Sequence, residues 1–281
     1  MKYYILTYFI FGILLSAFCQ KNQSPEILKS DIKLLLTTNE IDVRNVPLFF
    51  NGNDLIIIDG RKMFILPITE VTNNTPAAGL IPKEVNRFEQ LVYSGSNAFI
   101  KDGGSILQLE DTTVNLFIKM PHKNFSIYPA NEENFYVVIQ ESNNSELFIV
   151  HTETGKLLKL LSSPEKISNV VGTGERTIVA IGNDIFLLEE EETILIHHNE
   201  TPIKSVAGSE YGLFIASENE LSYLCLPFVV VPVIKENIQK IQCANNTLIV
   251  LIEDGRLYKV DNANSFENRI RAFVNEENDN D

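Results

Sequence analysis

The sequence predicts an all-β fold, a β-propeller of six four-stranded blades. A common pattern recurs along the chain: an apolar and small-residue segment, a short apolar run, a turn of Gly, Asn, Asp or Ser, and a second apolar run. The six turns are spaced by 44, 41, 38, 36 and 36 residues and are centred on Gly60, Gly104, Ser145, Asn183, Asn219 and Gly255. Such periods are typical of propellers, solenoids and arrays, and short Ile-, Val- and Leu-rich runs favour strands. Seven blades are the alternative.

The last three copies of the repeat show the pattern best. A shift of 35 residues aligns "SVAGSEYGLFIASENELSYL" (205–224) with "KIQCANNTLIVLIEDGRLYKV" (240–260), matching Leu213 with Leu248 and Tyr223 with Tyr258. In the fourth copy we expect the strands "ISNVV", "TIVAI", "DIFLL" and "TILIH". Four such strands in about 40 residues make one propeller blade. The apolar runs are continuous and do not alternate, which fits strands covered on both faces by neighbouring blades.

Tight turns and two terminal segments complete the predicted ring. The segments "DGRKM", "DGGSI", "GNDIF" and "EDGRL" should each join the second and third strands of a blade. Gly60 and Gly255 should have positive φ there, since Gly adopts it without steric cost. We expect "DIKLLLT" (31–37) and "RIRAFV" (269–274) to close the ring.

The N-terminus has the layout of a secretory signal peptide. Lys2 precedes an apolar run, and Ala17 and Cys19 suit cleavage before Gln20. A retained signal anchor and a bacterial lipoprotein acylated at Cys19 are the alternatives. The predicted organisation is therefore a signal peptide (1–19), a linker (20–30), the propeller (31–274) and an acidic disordered tail (275–281). The expected location is extracytoplasmic: secreted, in the lumen of the endoplasmic reticulum, or periplasmic.

Charge argues against some partners. The formal net charge is −14, so the chain repels phosphate groups and no nucleic acid is expected as a partner. Anionic membrane surfaces are disfavoured for the same reason. After cleavage of the signal peptide we expect no direct bilayer span, because "LCLPFVVVPVI" is short and contains two prolines.

Modification sites depend on the source of the protein. Six N-x-[ST] triplets would be glycosylation acceptors in a eukaryotic secreted protein. They begin at Asn22, Asn73, Asn124, Asn143, Asn199 and Asn245. The mature chain keeps Cys225 and Cys243, which either form one disulfide or, as we expect from their different positions in the repeat, stay unpaired.

Two segments resemble the RCC1-like β-propeller repeat family: "IKSVAGSEYGLFIASENELSYL" and "IQKIQCANNTLIVLIEDGRLYKV". The resemblance spans residues 41–263 and is clearest in the last three copies. It implies the propeller fold. Where that family has a His after the Gly segment this chain has Tyr211 or Asn246, and it has no Trp for the family's Trp-Gly. The family's chromatin and nucleotide-exchange functions are therefore not expected.

Recognisable catalytic motifs are absent from the sequence. His197 and His198 are adjacent in a predicted strand and should point to opposite faces, so they suit one metal ion poorly. "GTGERT" (172–177) is read as a turn between strands, since no helix follows it as in a phosphate loop. The acidic clusters "NEEN" (131–134) and "EEEE" (189–192) are read as solvated loops. No catalytic, cofactor-binding or metal-binding residue is predicted.

The sequence thus favours a non-enzymatic binding or scaffold module, whose blade loops bind a protein or glycan partner. The alternative is a calcium-dependent six-bladed hydrolase of the lactonase type. Such enzymes hold Ca²⁺ with Glu, Asp and Asn side chains from several blades, but no His of this chain matches a catalytic base.

Overall fold

The computed structural model describes residues 32–36, 43–44, 46–68, 77–80, 84–110, 113–173, 176–189, 192–209, 212–225, 229–244, 247–261, 263 and 267–268. They form six four-stranded antiparallel sheets arranged in a ring, a six-bladed β-propeller. The prediction of six blades is confirmed. No helix among the described residues is long and apolar enough to cross a membrane.

Each blade takes four strands, consecutive in all blades but the last. Blade 1 contains β2 (Leu48–Phe50), β3 (Asp54–Asp59), β4 (Lys62–Pro67) and β5 (Ala77–Leu80). Blade 2 contains β6 (Phe88–Ser94), β7 (Asn97–Asp102), β8 (Ser105–Glu110) and β9 (Thr113–Lys119); blade 3 contains β10 (Phe125–Pro129), β11 (Asn134–Glu141), β12 (Asn144–His151) and β13 (Leu157–Ser163). Blade 4 contains β14 (Ile167–Thr173), β15 (Arg176–Ile181), β16 (Asp184–Leu188) and β17 (Thr193–His198); blade 5 contains β18 (Ser205–Gly208), β19 (Gly212–Ala216), β20 (Leu221–Cys225) and β21 (Val229–Ile234). Blade 6 contains β22 (Ile238–Ala244), β23 (Thr247–Ile252), β24 (Leu257–Asp261) and, from the N-terminus, β1 (Ile32–Leu36).

The strands and turns follow the sequence pattern closely. All four strands expected in the fourth copy are present as β14 to β17. The predicted tight turns join the second and third strands of blades 1, 2, 4 and 6. Gly60 has a φ of 59° and Gly255 a φ of 92°, as those turns require. In "GTGERT", Thr173 at the end of β14 pairs with Arg176 at the start of β15, and residues 174–175 lie outside the described part.

The ring is closed by the N-terminal strand. β1 pairs antiparallel with β24, with Ile32 opposite Val260 and Lys33 opposite Lys259. The sheet order of blade 6 is β1-β24-β23-β22, so the expected closing role of 31–37 is observed and β1 occupies the outer position. The second expected closing segment, 269–274, lies outside the described residues.

The apolar core lies between adjacent blades. Between blades 2 and 3, the ring centroids of Phe99 and Phe135 are 4.6 Å apart, and both side chains are fully buried. Between blades 1 and 6, Leu55 and Ile57 pack with Leu257, which closes the ring by packing as well as by strand pairing. Each such side chain contributes about 1.5–3 kcal/mol by burial, so both faces of the blades contribute to stability.

Side-chain hydrogen bonds connect neighbouring blades at the repeat spacing. Ser94 Oγ donates to Asn131 O at 2.6 Å, and Ser205 Oγ donates to Ile241 O at 3.2 Å. Tyr136 and Thr177 join their hydroxyl groups at 2.8 Å. These bonds satisfy polar groups in the interior of the propeller. Because each bond joins two neighbouring blades, it also opposes sliding of one blade along the other.

Candidate binding pocket at the centre of the ring

The first strands of the blades surround the central axis. β2, β6, β10, β14, β18 and β22 each contact the first strands of both neighbouring blades around the ring. A cavity of about 300 Å³ opens where four of these strands begin. Its lining residues are Val43, Val46, Pro47, Leu48, Ser168, Asn169, Lys204, Ser205, Gln239, Lys240 and Leu251. Because blades 1 and 4 are opposite in a six-membered ring, this pocket spans the axis.

The opposite ends of the inner strands approach each other more closely. A Cβ added at Gly172 would lie 2.6 Å from Ala130 O, and one added at Gly208 would lie 2.5 Å from Val171 Cγ1. Both distances are shorter than real Cβ contacts, so only glycine fits between these strands. The pocket therefore belongs to the face where the inner strands begin.

Two β-bulges shape the pocket wall. The pairing register shifts between Ile167 and Asn169 in β14, and between Ile238 and Lys240 in β22. A bulge places two residues of one strand opposite a single residue of its partner, which redirects side chains. Adjacent residues that a regular strand would point to opposite faces therefore line the same pocket: Ser168 with Asn169, and Gln239 with Lys240.

Lys240 is the most perturbed charged group of the pocket. Its Nζ donates to Leu48 O at 2.7 Å and lies 5.3 Å from the ring centroid of Phe49. Burial lowers the pKa of Lys240 from an ordinary 10.5 to about 8. No carboxylate among the described residues forms an ion pair with it. A lysine enclosed in this way, with a cavity beside it, is a candidate functional residue.

Gln239 presents a polar atom with an unmet hydrogen bond. Its Nε2 donates to Arg44 O at 2.6 Å, but its Oε1 is buried and has no donor among the described residues. Leaving a buried acceptor unpaired costs about 1–3 kcal/mol. Such a group at the wall of a cavity suits a ligand that brings its own N–H or O–H donor.

The remaining polar side chains of the pocket bond mainly to the protein. Asn169 Nδ2 donates to Lys204 O at 3.3 Å. Lys204 Nζ pairs with Glu253 Oε1 at 2.5 Å. No Asp or Glu is among the lining residues that the structure describes, although the whole chain carries a charge of −14. The pocket is therefore a cationic spot on an acidic protein, which favours anionic groups.

Asn124, Asn143 and Asn199 are not among the residues that line this pocket. Asn124 and Asn143 are exposed, and Asn199 is half-buried with its Nδ2 donating to Thr201 O at 2.6 Å. Asn22, Asn73 and Asn245 are outside the described residues. Glycosylation at all six positions stays a prediction.

The four histidines and Cys243 are not among the lining residues either. His198 is exposed, with Nδ1 2.5 Å from Asp184 Oδ1, whereas burial lowers the pKa of the half-buried His197. Cys243 is a free thiol, and burial together with nearby Glu267 raises its pKa to about 12. The side chain of Cys225 lies outside the described part of the chain. The described residues include no group of three or more His, Cys, Asp or Glu placed to hold a metal ion.

The acidic cluster at 131–134 forms an ordered turn at the other end of blade 3. Asn131 Oδ1 accepts from Glu133 N and from Asn134 Nδ2, both at 3.0 Å. Its position between β10 and β11 matches the predicted loop. In the 189–192 cluster, Glu189 N donates to Glu192 O at 3.0 Å, and residues 190–191 lie outside the described part.

The pocket residues were missed by the sequence analysis, but the sequence contains a signal for them. Four copies begin with one pattern, an apolar residue, two polar residues and an apolar residue: "FEQL" (88–91), "ISNV" (167–170), "IKSV" (203–206) and "IQKI" (238–241). The central pairs of the last three line the pocket. The register also shifts between Phe88 and Gln90 in the first, where Gln90 Oε1 accepts from Ile127 N of blade 3 at 2.8 Å. Two polar residues in succession inside an apolar strand can therefore mark a bulge.

Comparisons with known proteins support the fold. The sequence matches no protein-family model and no curated protein. Among solved structures, a chain of a nidogen/laminin complex is similar with a TM-score of 0.55 and 11% identity, covering 70% of this chain and 86% of that one. The Pan2 WD40 domain of Neurospora crassa has a TM-score of 0.51 and 12% identity, covering 82% and 80%. The extracellular domain of a B. thetaiotaomicron protein has a TM-score of 0.54 and 11% identity, covering 81% of this chain and 34% of that one.

These similarities concern architecture alone. At 11–12% identity they show that the chain shares a propeller fold with proteins of different kinds. No family match singles out the RCC1-like family, so that finer assignment stays a prediction.

Proposed function

We propose that this chain is a non-enzymatic binding propeller that acts outside the cytoplasm and holds a protein partner on the face that carries the central pocket. A glycan is the alternative ligand. The observation that carries the proposal is the pocket itself, because side chains from blades 1, 4, 5 and 6 converge there. Rigid strands that present a few polar groups around a partly apolar cavity are typical of binding sites.

The chemistry of the pocket favours binding over catalysis. Its polar side chains are Ser, Asn, Gln and Lys, and the hydroxyl of Ser205 is engaged with the backbone of Ile241. A nucleophile would need a neighbouring base within hydrogen-bond reach, and the described residues of the pocket lining include no His, Asp or Glu. We therefore assign these side chains to recognition.

An extracytoplasmic setting agrees with the sequence of the N-terminus and with the fold. Lys2, the apolar run and the small-residue site before Gln20 have the pattern of an exported protein. Propellers similar to this chain include an extracellular domain and a chain of a protein complex. These resemblances support the proposal at the level of architecture.

The proposal is tested by cross-linking and mass spectrometry of partners on the natively exported protein. Ser168→Trp should fill the pocket mouth, and Ser96→Trp places the same side chain on an exposed turn at the other end of the inner strands. We expect the pocket variant to lose a partner that the wild type and the Ser96 variant retain. A partner held equally by all three would show that it does not bind on this face.

A further inference from the structure

Of the two described lysines that line the central pocket, Lys240 is the one that can bind an anionic group of a ligand. Lys204 and Lys240 are the charged residues in the described part of the lining, and Lys204 is already paired with Glu253 at 2.5 Å. Lys240 donates to Leu48 O at 2.7 Å and has no carboxylate partner among the described residues. An ammonium group carries three donors, so Lys240 can donate to a bound anion while it keeps its bond to the backbone.

The neighbouring side chain requires a donor from the ligand. Gln239 Oε1 is buried and has no donor in the described part of the chain, and the bulge in β22 brings Gln239 and Lys240 to the same pocket. A ligand that satisfies both residues has an anionic oxygen and an N–H or O–H group close to each other. Halides and simple carboxylates such as acetate meet only the first requirement. Hydrogen phosphate carries an O–H as well as anionic oxygens and meets both, so it is a necessary competitor in the test.

Part of the wall is apolar and the space is small. Val43, Val46, Leu48 and Leu251 line the pocket, and the cavity measures about 300 Å³. This volume is at the lower limit for ligand pockets. It therefore suits the terminal residue of a polypeptide better than an internal segment, whose chain would have to enter the pocket and leave it again. The net charge of −14 disfavours a polyanion but tolerates a single negative charge held at the lysine.

We propose that the pocket binds the C-terminal carboxylate of the protein partner. Lys240 Nζ donates to the carboxylate, Gln239 Oε1 accepts from the amide N–H of the last residue, and the apolar wall contacts the last side chain. A C-terminal residue is the part of a polypeptide in which a carboxylate and an N–H are attached to the same carbon. This inference rests on the proposed function, in which a protein partner binds at this face.

The test uses the full mature chain and short peptides of known composition. N-acetyl-Gly-Gly-Val, -Leu and -Phe are titrated by calorimetry as free acids and as C-terminal amides, with sodium acetate and phosphate as competitors. We expect at least one acid to bind in the millimolar range or tighter and its amide to bind at least tenfold more weakly. Lys240→Met should lose the preference for the acid, and Gln239→Leu should weaken its binding severalfold. Lys166→Met is the matched control, because Lys166 is exposed and outside the pocket.

A pH series on the wild type provides a test that needs no variant. With a pKa near 8, the charged fraction of Lys240 falls about thirtyfold as the pH rises from 7 to 9.5. The affinity for the acid should therefore fall by about tenfold or more. Among the described residues, the other charged groups near the pocket are Lys204, paired with Glu253, and Arg44, whose backbone oxygen accepts from Gln239 Nε2. The affinity of the amide should change little over this range.

Several results would overturn the inference. Equal binding of acid and amide, or unchanged binding of the acid to the Lys240 variant, would exclude recognition of the carboxylate here. Phosphate or acetate competing as strongly as the best peptide would indicate a simple anion site. If no acid binds at about 1 mM, the C-terminal carboxylate is excluded. The loss of a cross-linked partner on Ser168→Trp would still support partner binding at this face, so the two proposals fail separately.

Discussion

Replacing Lys240 by Met should change how the stability of this protein depends on pH. In the folded state the pKa of Lys240 is about 8, below the ordinary 10.5. Below pH 8 both the folded and the unfolded states carry the proton, so the cost of burying the charge is fully present. Between pH 8 and 10.5 the unfolded state binds more protons than the folded state, so wild-type stability rises with pH. Met has a similar length and does not titrate.

The size of the effect follows from the pKa and the contacts. The lowered pKa corresponds to a loss of at most about 3 kcal/mol in the free energy of unfolding when Lys240 is charged. We expect a loss of about 2 kcal/mol, because part of the Lys240 side chain is solvent-accessible. Met removes this cost but leaves Leu48 O without its donor, at about 1–3 kcal/mol. At pH 7 the two changes should nearly cancel, so that the variant lies within about 1 kcal/mol of the wild type. Between pH 7 and 10.5 the free energy of unfolding of the wild type should rise by about 2 kcal/mol relative to that of the variant.

Urea denaturation at pH 7, 8, 9 and 10 measures this difference. Other titrating groups, including Cys243, are common to both proteins and should cancel in the difference. Lys166→Met removes the same charge from an exposed position and should give a flat difference. A difference between wild type and Lys240→Met that stays constant within about 0.5 kcal/mol over this range would refute the reasoning.

Four further measurements test the architecture and the expectations from the sequence. Gly60→Val and Gly255→Val should each lower the free energy of unfolding, measured in urea, by more than about 1 kcal/mol, because a β-branched residue is strained at positive φ. Gly60→Asn should lower it by less. Val variants as stable as the wild type would contradict this. Deleting 265–281 should lower the Tm because it uncovers the surface of blade 6 near Cys243, on which Glu267 is fully buried, and deleting 275–281 should not. Equal Tm values would show that this segment is dispensable. Millimolar Ca²⁺ should leave the Tm unchanged, and a clear rise would favour the calcium-dependent hydrolase. Mass spectrometry of the native N-terminus should find Gln20, whereas a lipid-modified Cys19 or an intact Met1 would support the alternatives.

The sequence by itself determined the repeat, the strands and the turns. Strand tendency and turn chemistry are local properties, so they can be recognised without knowing which strands pair. The fourth copy shows this, because its four apolar runs became β14 to β17. Gly60 and Gly255 show it for the turns, since the positive φ predicted from the Asp-Gly pairs is present at both. The blade count followed from the number of copies.

The tertiary structure alone decided how the ring closes and where a ligand can bind. β1 and β24 come from opposite ends of the propeller sequence, and their pairing depends on all six blades curving into a ring. Alternation along a strand predicts that Gln239 and Lys240 point to opposite faces, yet a bulge turns both to the central pocket. The lowered pKa of Lys240 likewise depends on enclosure by blade 1, whose Leu48 and Phe49 are distant in sequence. Register and enclosure are set by long-range packing, so no local pattern of residues determines them.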